Sequence, residues 1–191
     1  MLKRKRGDIM ENLIIGVLTL FLLGIYFVLV YNGIITLANK VNEAFSTIEV
    51  YLKKRYDLIP KLVDAVDAYI LHEKQTLNLI TETRNASIIA NKQSSIIELN
   101  NKLSKNIEEL MILVESYPSL KANQNFIDLQ AQLVEIEENI ADARKYYNGS
   151  VRMYNNYICI FPNVIIANIL GKKQKNFFEI NNEEKQNIII K

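Results

Sequence analysis

The residues that could do chemistry in this chain are few, and their spacing excludes most of it. His72-Glu73 is the only histidine–acid pair. A zinc-protease helix carries a second histidine four positions on, so that both imidazoles face one ion. Thr76 stands there instead. With one histidine and one cysteine in 191 residues, a zinc site lacks ligands. The bland alternative for His72 is an exposed helix residue or a helix–helix hydrogen bond. Cys159 would need a base within hydrogen-bond reach to act as a nucleophile. It lies in the apolar run "YICIFP", where a packed thiol is the expectation. Glu137 and Glu138 are sequential and point apart on a helix, so they form no acid–base dyad. There is no glycine-rich phosphate loop and no G-x-S-x-G. No catalytic, cofactor or metal residue is expected, and no small-molecule substrate is identified.

Charged residues on otherwise apolar stripes are better candidates for a structural role. Arg84 follows Leu77 and Ile80 at helical spacing, and Arg144 follows Ile136 and Ile140. A charge on a core face must be paired, because an unpaired buried charge is prohibitively costly. Inter-helix ion pairs of Arg84 or Arg144 with Glu115 or Glu137 are therefore expected. A separate cluster of cations, Lys53, Lys54, Arg55 and Lys61, is the candidate interaction surface. Its bland alternative is a solvated helix end.

Pro60 sits beside that cluster, within "RYDLIP". It cannot donate to the carbonyl of Tyr56, which costs about 3 kcal/mol in a helix interior. The cost is small if Asp57 caps a new helix with Leu58, Ile59 and Pro60 in its first turn. A continuous helix kinked at Pro60 is the alternative. The preceding cations would then lie in a last helical turn, where the dipole favours them.

These residues need elements to hold them. From Leu13 to Val30 the chain reads "LIIGVLTLFLLGIYFVLV". A helix rising about 1.5 Å per residue needs roughly 20 apolar residues to cross a bilayer. Fourteen of these eighteen are Leu, Ile, Val or Phe, so insertion is favourable. A cleaved signal peptide would have a shorter run of about 7–15 residues and a small-residue cleavage site close behind it. The tetrad "KRKR" at residues 3–6 places the N-terminus in the cytoplasm by the positive-inside rule. Lys40, Lys53, Lys54 and Arg55 on the far flank oppose that reading.

Beyond the anchor, apolar residues recur every three or four positions, at Leu37, Val41, Ala44, Ile48 and Leu52, then at Leu62 and Val66. The anchor helix is thus expected to run on with little break. Ser95 and Glu98 form a capping box, which puts a new helix start near Ser95 after a turn at 91–94. That helix carries Leu99, Leu103, Ile107, Leu110 and Val114. It stops before Pro118, which disfavours helix at Tyr117. The last long helix begins near Asn125 and continues past Gly149 to Phe161-Pro162. A short apolar piece, 163–170, ends at Gly171, and the tail beyond Ile180 is polar and expected to fray. No segment alternates with period two. The fold class is all-α: a single N-terminal transmembrane helix, then an antiparallel up-and-down bundle of three long helices, or four if Pro60 divides the first. The organisation is a basic flank at 1–12, a membrane span at 13–35, a helical bundle at 36–180 and a tail at 181–191. An intermolecular coiled coil would explain sustained heptads, but stripes joined by short turns suit a self-contained bundle better. Net charge is only +2, which argues against a dedicated nucleic-acid binder. A lone cysteine permits no internal disulfide.

Three stretches carry a family resemblance. "AFSTIEVYLKKRYDLIPKLVDAVDAYILHE", "ESYPSLKANQNFIDLQAQLVEIEENIADARKYYNGSVRMYN" and "FPNVIIA…FFE" resemble, in order, the LemA family of bacterial membrane proteins, from about Tyr31 to Glu179. The usual pattern has Arg-Arg where Lys54-Arg55 stand, and Asn where Lys61 follows the proline. The resemblance implies one membrane helix and a helical bundle, usually described on the cytoplasmic side, against the charge rule. It implies no agreed activity. Polar positions that match the motifs are Arg55, Asp57, Glu73, Arg84, Glu115, Glu137, Arg144, Asn148 and Asn155. The expected role is a non-catalytic scaffold or adaptor in the bacterial cell membrane, engaging an envelope protein or itself. The alternative is a binder or shaper of anionic membrane, through the cations at 53–61.

Overall fold

Periodicity of three and four residues without a single alternating segment leaves only helices to bury the apolar stripes. The computed structural model describes residues 2–70 and 73–178, with side chains from residue 12 onward. Every regular element among them is a helix: α1 Leu2–Asp67, α2 Lys74–Ile89, α3 Gln93–Val114, α4 Pro118–Lys121, α5 Gln124–Cys159 and α6 Asn163–Ile169. His72 and the polar tail lie outside the described residues.

The chain forms two compact units. One joins the residues up to Glu43 with Gly149–Asn176; the other joins Ala44–Asn148 with the residues from Phe177. Both α1 and α5 contribute to each. The first unit holds the apolar run, and α1 is long and apolar enough there to cross a membrane. Leu13 to Leu29 are almost all outward-facing and exposed.

The second unit is a four-helix packing. Ile48, Leu52, Ile59 and Leu62 of α1 are buried, with Ile80 of α2, Leu103 and Leu110 of α3, and Phe126 and Ile140 of α5. Direction is fixed by side-chain pairs. Phe45 meets Tyr147 edge to face at 5.7 Å, Arg55 meets Glu137, and Tyr69 accepts from Asn123 at 2.8 Å. Partner numbers fall along α5 and the residue that caps it as they rise along α1 and the residues just after it, so the two helices run antiparallel in this unit.

Connections follow local chemistry. The Asn123 carboxamide accepts the Phe126 backbone N–H at 3.1 Å and caps α5. Pro118 opens α4 at its first position, where its missing N–H costs nothing. In the first unit, α6 ends on Gly171 at φ +62°, with Lys172 N–H returning to the Ala167 carbonyl at 2.9 Å and Gly171 N–H to Asn168 at 3.1 Å, a Schellman ending. The start of α3 departs from expectation. It begins at Gln93, after Lys92, with no side-chain cap, so Ser95 and Glu98 lie inside it. The Gln93 carboxamide donates to the Tyr147 hydroxyl, which ties the helix start to α5 rather than to a local box.

Of the two arrangements open at Pro60, the continuous helix is the one observed. α1 does not begin or break there; it continues to Asp67, and the division of the first helix from the second falls between 67 and 74. Asp57 is an exposed interior residue and caps nothing. Two features make the continuous helix tolerable. Pro60 is exposed, while Leu58, Ile59 and Leu62 around it are buried, so core burial holds both sides together. The Tyr56 carbonyl, deprived of its intrahelical donor, accepts a hydrogen bond from Nε of Arg84 on α2 at 3.0 Å. A neighbouring helix thus supplies the donor that proline lacks.

That substitution makes the two residues interdependent. Arg84→Ala should destabilise the protein by about 1–3 kcal/mol, the usual cost of stranding a partly buried acceptor. Pro60→Ala should stabilise it by about 1 kcal/mol, less than the full interior penalty because proline also restrains the unfolded chain. In the Pro60→Ala background the cost of Arg84→Ala should shrink, since an alanine N–H restores the missing donor. Thermal melts of the four proteins in detergent check this; equal costs in both backgrounds would refute the substitution.

Candidate functional site: an arginine sealed inside the helical core

On the now continuous α1, the buried positions step by four and three: Ile48, Leu52, Arg55, Ile59, Leu62, Val66. Arg55 occupies a core position in that stripe. It is 0% exposed and is the largest fully buried side chain described. This corrects its placement on an interaction surface.

Isolated burial of a guanidinium would be prohibitive, so its partners decide whether the site is stable. Nη1 donates to Glu137 Oε1 of α5 at 2.9 Å and to Ser104 Oγ of α3 at 2.8 Å. Nη2 donates to the Asn100 carbonyl at 3.3 Å and to its side-chain oxygen. Asn100, itself fully buried on α3, also donates to the Tyr56 hydroxyl at 2.7 Å and to the Ile96 carbonyl at 2.8 Å. Nε of Arg55 is buried with no acceptor among the described residues. Glu137 is about one-third exposed, so the network touches solvent at one edge. One planar group therefore clamps three helices, and its fork geometry is one a lysine cannot copy.

The other anticipated pairings are rearranged. Glu137 is taken by Arg55, and Glu115 pairs at the surface with Lys121. Arg84 serves the Tyr56 carbonyl and Asn85. The Arg144 guanidinium lies over the Phe178 ring at 4.5 Å. Glu73 precedes α2 and gives it no side-chain cap. Asn148 and Asn155 make a pattern of their own. The Asn148 carboxamide donates to the Phe178 carbonyl at 3.0 Å and accepts its N–H at 2.8 Å. Asn155 does the same with Lys175, at 2.9 and 2.8 Å. Each amide stands in for a strand partner and holds a stretch of irregular backbone against α5. Lys175 then donates to Asn42 at 2.7 Å, and burial, with nearby Lys172, holds its ammonium below the usual lysine range.

Three cations of the proposed surface do stay outside. Lys53, Lys54 and Lys61 are exposed, and Lys54 lies over the Tyr51 ring at 5.2 Å. Asp57 and Asp64 share their side of the helix, so Lys54, Asp57, Lys61 and Asp64 alternate in sign at steps of three and four. Cys159 is exposed rather than packed, and its sulfur accepts from Gln174 at 3.0 Å. Ile158 takes the inward position, and the next residue is turned about 100° away. The residues that sequence reasoning missed are Tyr56, Asn100 and Ser104. Asn100 carried a readable signal: it stands between Ile96 and Leu103 at core spacing.

Comparison with known proteins identifies the family. A family model for LemA matches residues 44–191. The chain belongs to the LemA family. It is similar to magnetosome protein MamQ of Magnetospirillum gryphiswaldense, 24% identical over 91% of this chain and 73% of the relative. Magnetosome protein MamQ 2 of Paramagnetospirillum magneticum is 23% identical over 91% and 74%. Protein LemA of Metamycoplasma hominis is 26% identical over 85% and 76%. The family match begins at Ala44, so it covers the Arg55 network and leaves the apolar run outside.

Arg55→Ala should cost about 3–5 kcal/mol, because it strands buried partners. At 2–4 °C per kcal/mol for a chain of this size, melting should fall by about 10 °C. Arg55→Lys should recover only part of that, whereas Lys53→Ala or Lys61→Ala should stay within about 0.5 kcal/mol of the parent. Thermal melts of the purified full chain make the comparison, and a silent Arg55→Ala would rule out the clamp.

Proposed function

We propose that this LemA-family protein is a membrane-anchored, non-catalytic scaffold of the bacterial cell membrane. It crosses once at residues 13–35, with its N-terminus in the cytoplasm, and its helical bundle docks an envelope protein through the exposed face of α1. The observation that carries this reading is the sign pattern on that face. Lys54, Asp57, Lys61 and Asp64 alternate, with Lys53 beside them, while the one arginine of the cluster is turned inward. Alternating charge suits a protein surface of complementary pattern, where electrostatics set register and specificity. It suits an anionic membrane poorly, because each acid offsets a cation that would otherwise gain about 1 kcal/mol near the headgroups. The sealed Arg55 supports the same reading, since the most directional binder of anions in the cluster is already engaged internally.

A photo-crosslinking residue placed at Lys54 or Lys61 in living cells tests this. A discrete heavier adduct with a second protein is expected, and it should weaken when the untouched lysine of the pair is changed to Glu. Charge reversal at Arg55 would be the wrong control, because it would break the core. A ladder at multiples of the chain's own mass would make the partner another copy. The absence of any protein adduct at both positions would overturn the docking face.

A further inference from the structure

The first unit holds a second apolar element beside the membrane run. The chain leaves α5 through Ile160 and Phe161, turns at Pro162 and enters α6. Ile160 is 54% exposed, Phe161 80%, Ile165 52% and Ile169 72%. An exposed patch of this kind marks an interaction site when something fixes what it meets. Here three contacts to α1 fix its level. Gly33 lies against Tyr157: a Cβ added at Gly33 would overlap the Tyr157 ring and hydroxyl. Seven residues back along α1, the Tyr26 hydroxyl donates to Asn163 Oδ1 at 2.6 Å. After α6, Lys175 returns to Asn42. Tyr26 lies nine residues inside the end of the span at residue 35, about 13 Å along the helix axis. The turn and the start of α6 therefore lie alongside the span, not beyond it.

We propose that residues 160–169 form a wedge that dips into the lipid boundary next to the membrane helix, with Ile160, Phe161, Ile165 and Ile169 against acyl chains. This rests on the reading of residues 13–35 as a span. The backbone is prepared for such a place, where unpaired polar groups are costly. Asn163 Nδ2 caps the Tyr157 carbonyl at 3.1 Å, Val164 N–H returns to Ile160 at 2.9 Å, and the Schellman ending closes α6. Asn163 is itself buried, so its polar side chain is shielded by Tyr26 and the turn. Lys172 and Lys173 follow Leu170 after a single glycine, where headgroup phosphates would receive them. The unit thus meets the membrane with two elements, a crossing helix and a wedge beside it that limits its rotation and tilt.

The chain has no tryptophan, so each introduced one reports alone. Phe161→Trp, Ile165→Trp, Leu22→Trp and Ile112→Trp versions of the full chain would be reconstituted in phosphatidylcholine–phosphatidylglycerol vesicles. Quenching by brominated acyl chains would be compared with quenching by aqueous iodide. Leu22→Trp marks the span, and Ile112→Trp an exposed site on α3. The wedge predicts blue-shifted emission at 161 and 165, quenching by bromolipid comparable with that at 22, and protection from iodide. Iodide quenching at 161 and 165 like that at 112, with 22 still lipid-quenched, would overturn the wedge and leave the anchor standing. Iodide quenching at 22 as well would overturn the anchor itself. Shielding of 161 and 165 from both quenchers would also overturn the wedge, since protein would then cover the patch. Two independent positions guard against a single variant that misfolds.

Discussion

A guanidinium without exposed surface can persist in a helical core only if an anion and several acceptors converge on it. Arg55 meets that condition with a carboxylate from α5 and acceptors from two side chains and a carbonyl of α3. The geometry leaves little freedom: a slip of α3 or α5 by one turn, about 5.4 Å, would strand the charge. Apolar stripes alone tolerate such slips, because one leucine layer packs much like the next. The clamp selects a single register, and the rest of the second unit is arranged around it.

A second arginine repairs what the sequence of α1 damages. Pro60 removes one rung of the helix, and Arg84 supplies a donor to the orphaned Tyr56 carbonyl from outside. Tyr56 is thereby engaged twice, by its carbonyl to α2 and by its hydroxyl to Asn100. Asn148 and Asn155 extend the same device to the segment after α6, each holding one residue of irregular backbone by a donor and an acceptor. Among the described residues, several polar motif positions satisfy buried backbone or the buried Arg55 charge.

Much of this frame was legible in the residues. The uncharged run at 13–30, the helical period, the stop before Pro118, the start of the last helix and its end near Phe161, and the ending at Gly171 all follow from local chemistry and agree with the helices observed. The clamp is less legible, because the residues alone leave open whether Pro60 caps a new helix or lies within a continuous one. If Pro60 opens a new helix, Arg55 stands in a frayed last turn among exposed lysines, where solvent is the simplest destination for its charge. With the helix continuous, the steps of four and three place it in the core. Tertiary burial of Leu58, Ile59 and Leu62 overrides the proline, and no local rule weighs that burial. The box at Ser95 and Glu98 failed for a related reason, because Gln93 draws the helix start two residues earlier through Tyr147. The apolar neighbours of Cys159 suggest a packed thiol, but the helical period gives the inward position to Ile158.

The cluster at 53–61 thus holds two distinct features: an internal clamp at Arg55 and an outward face of alternating sign. The most direct test is a double-mutant cycle on the clamp, with Arg55→Met, Glu137→Leu and the pair together, followed by chemical unfolding of the full chain in detergent. The account predicts strong coupling, with the double variant losing at least about 1 kcal/mol less than the sum of the single losses, as expected for groups in direct contact. Additivity within about 0.5 kcal/mol would contradict it, because Arg55 would then be held by something other than Glu137 and the register of the bundle would not depend on their bond.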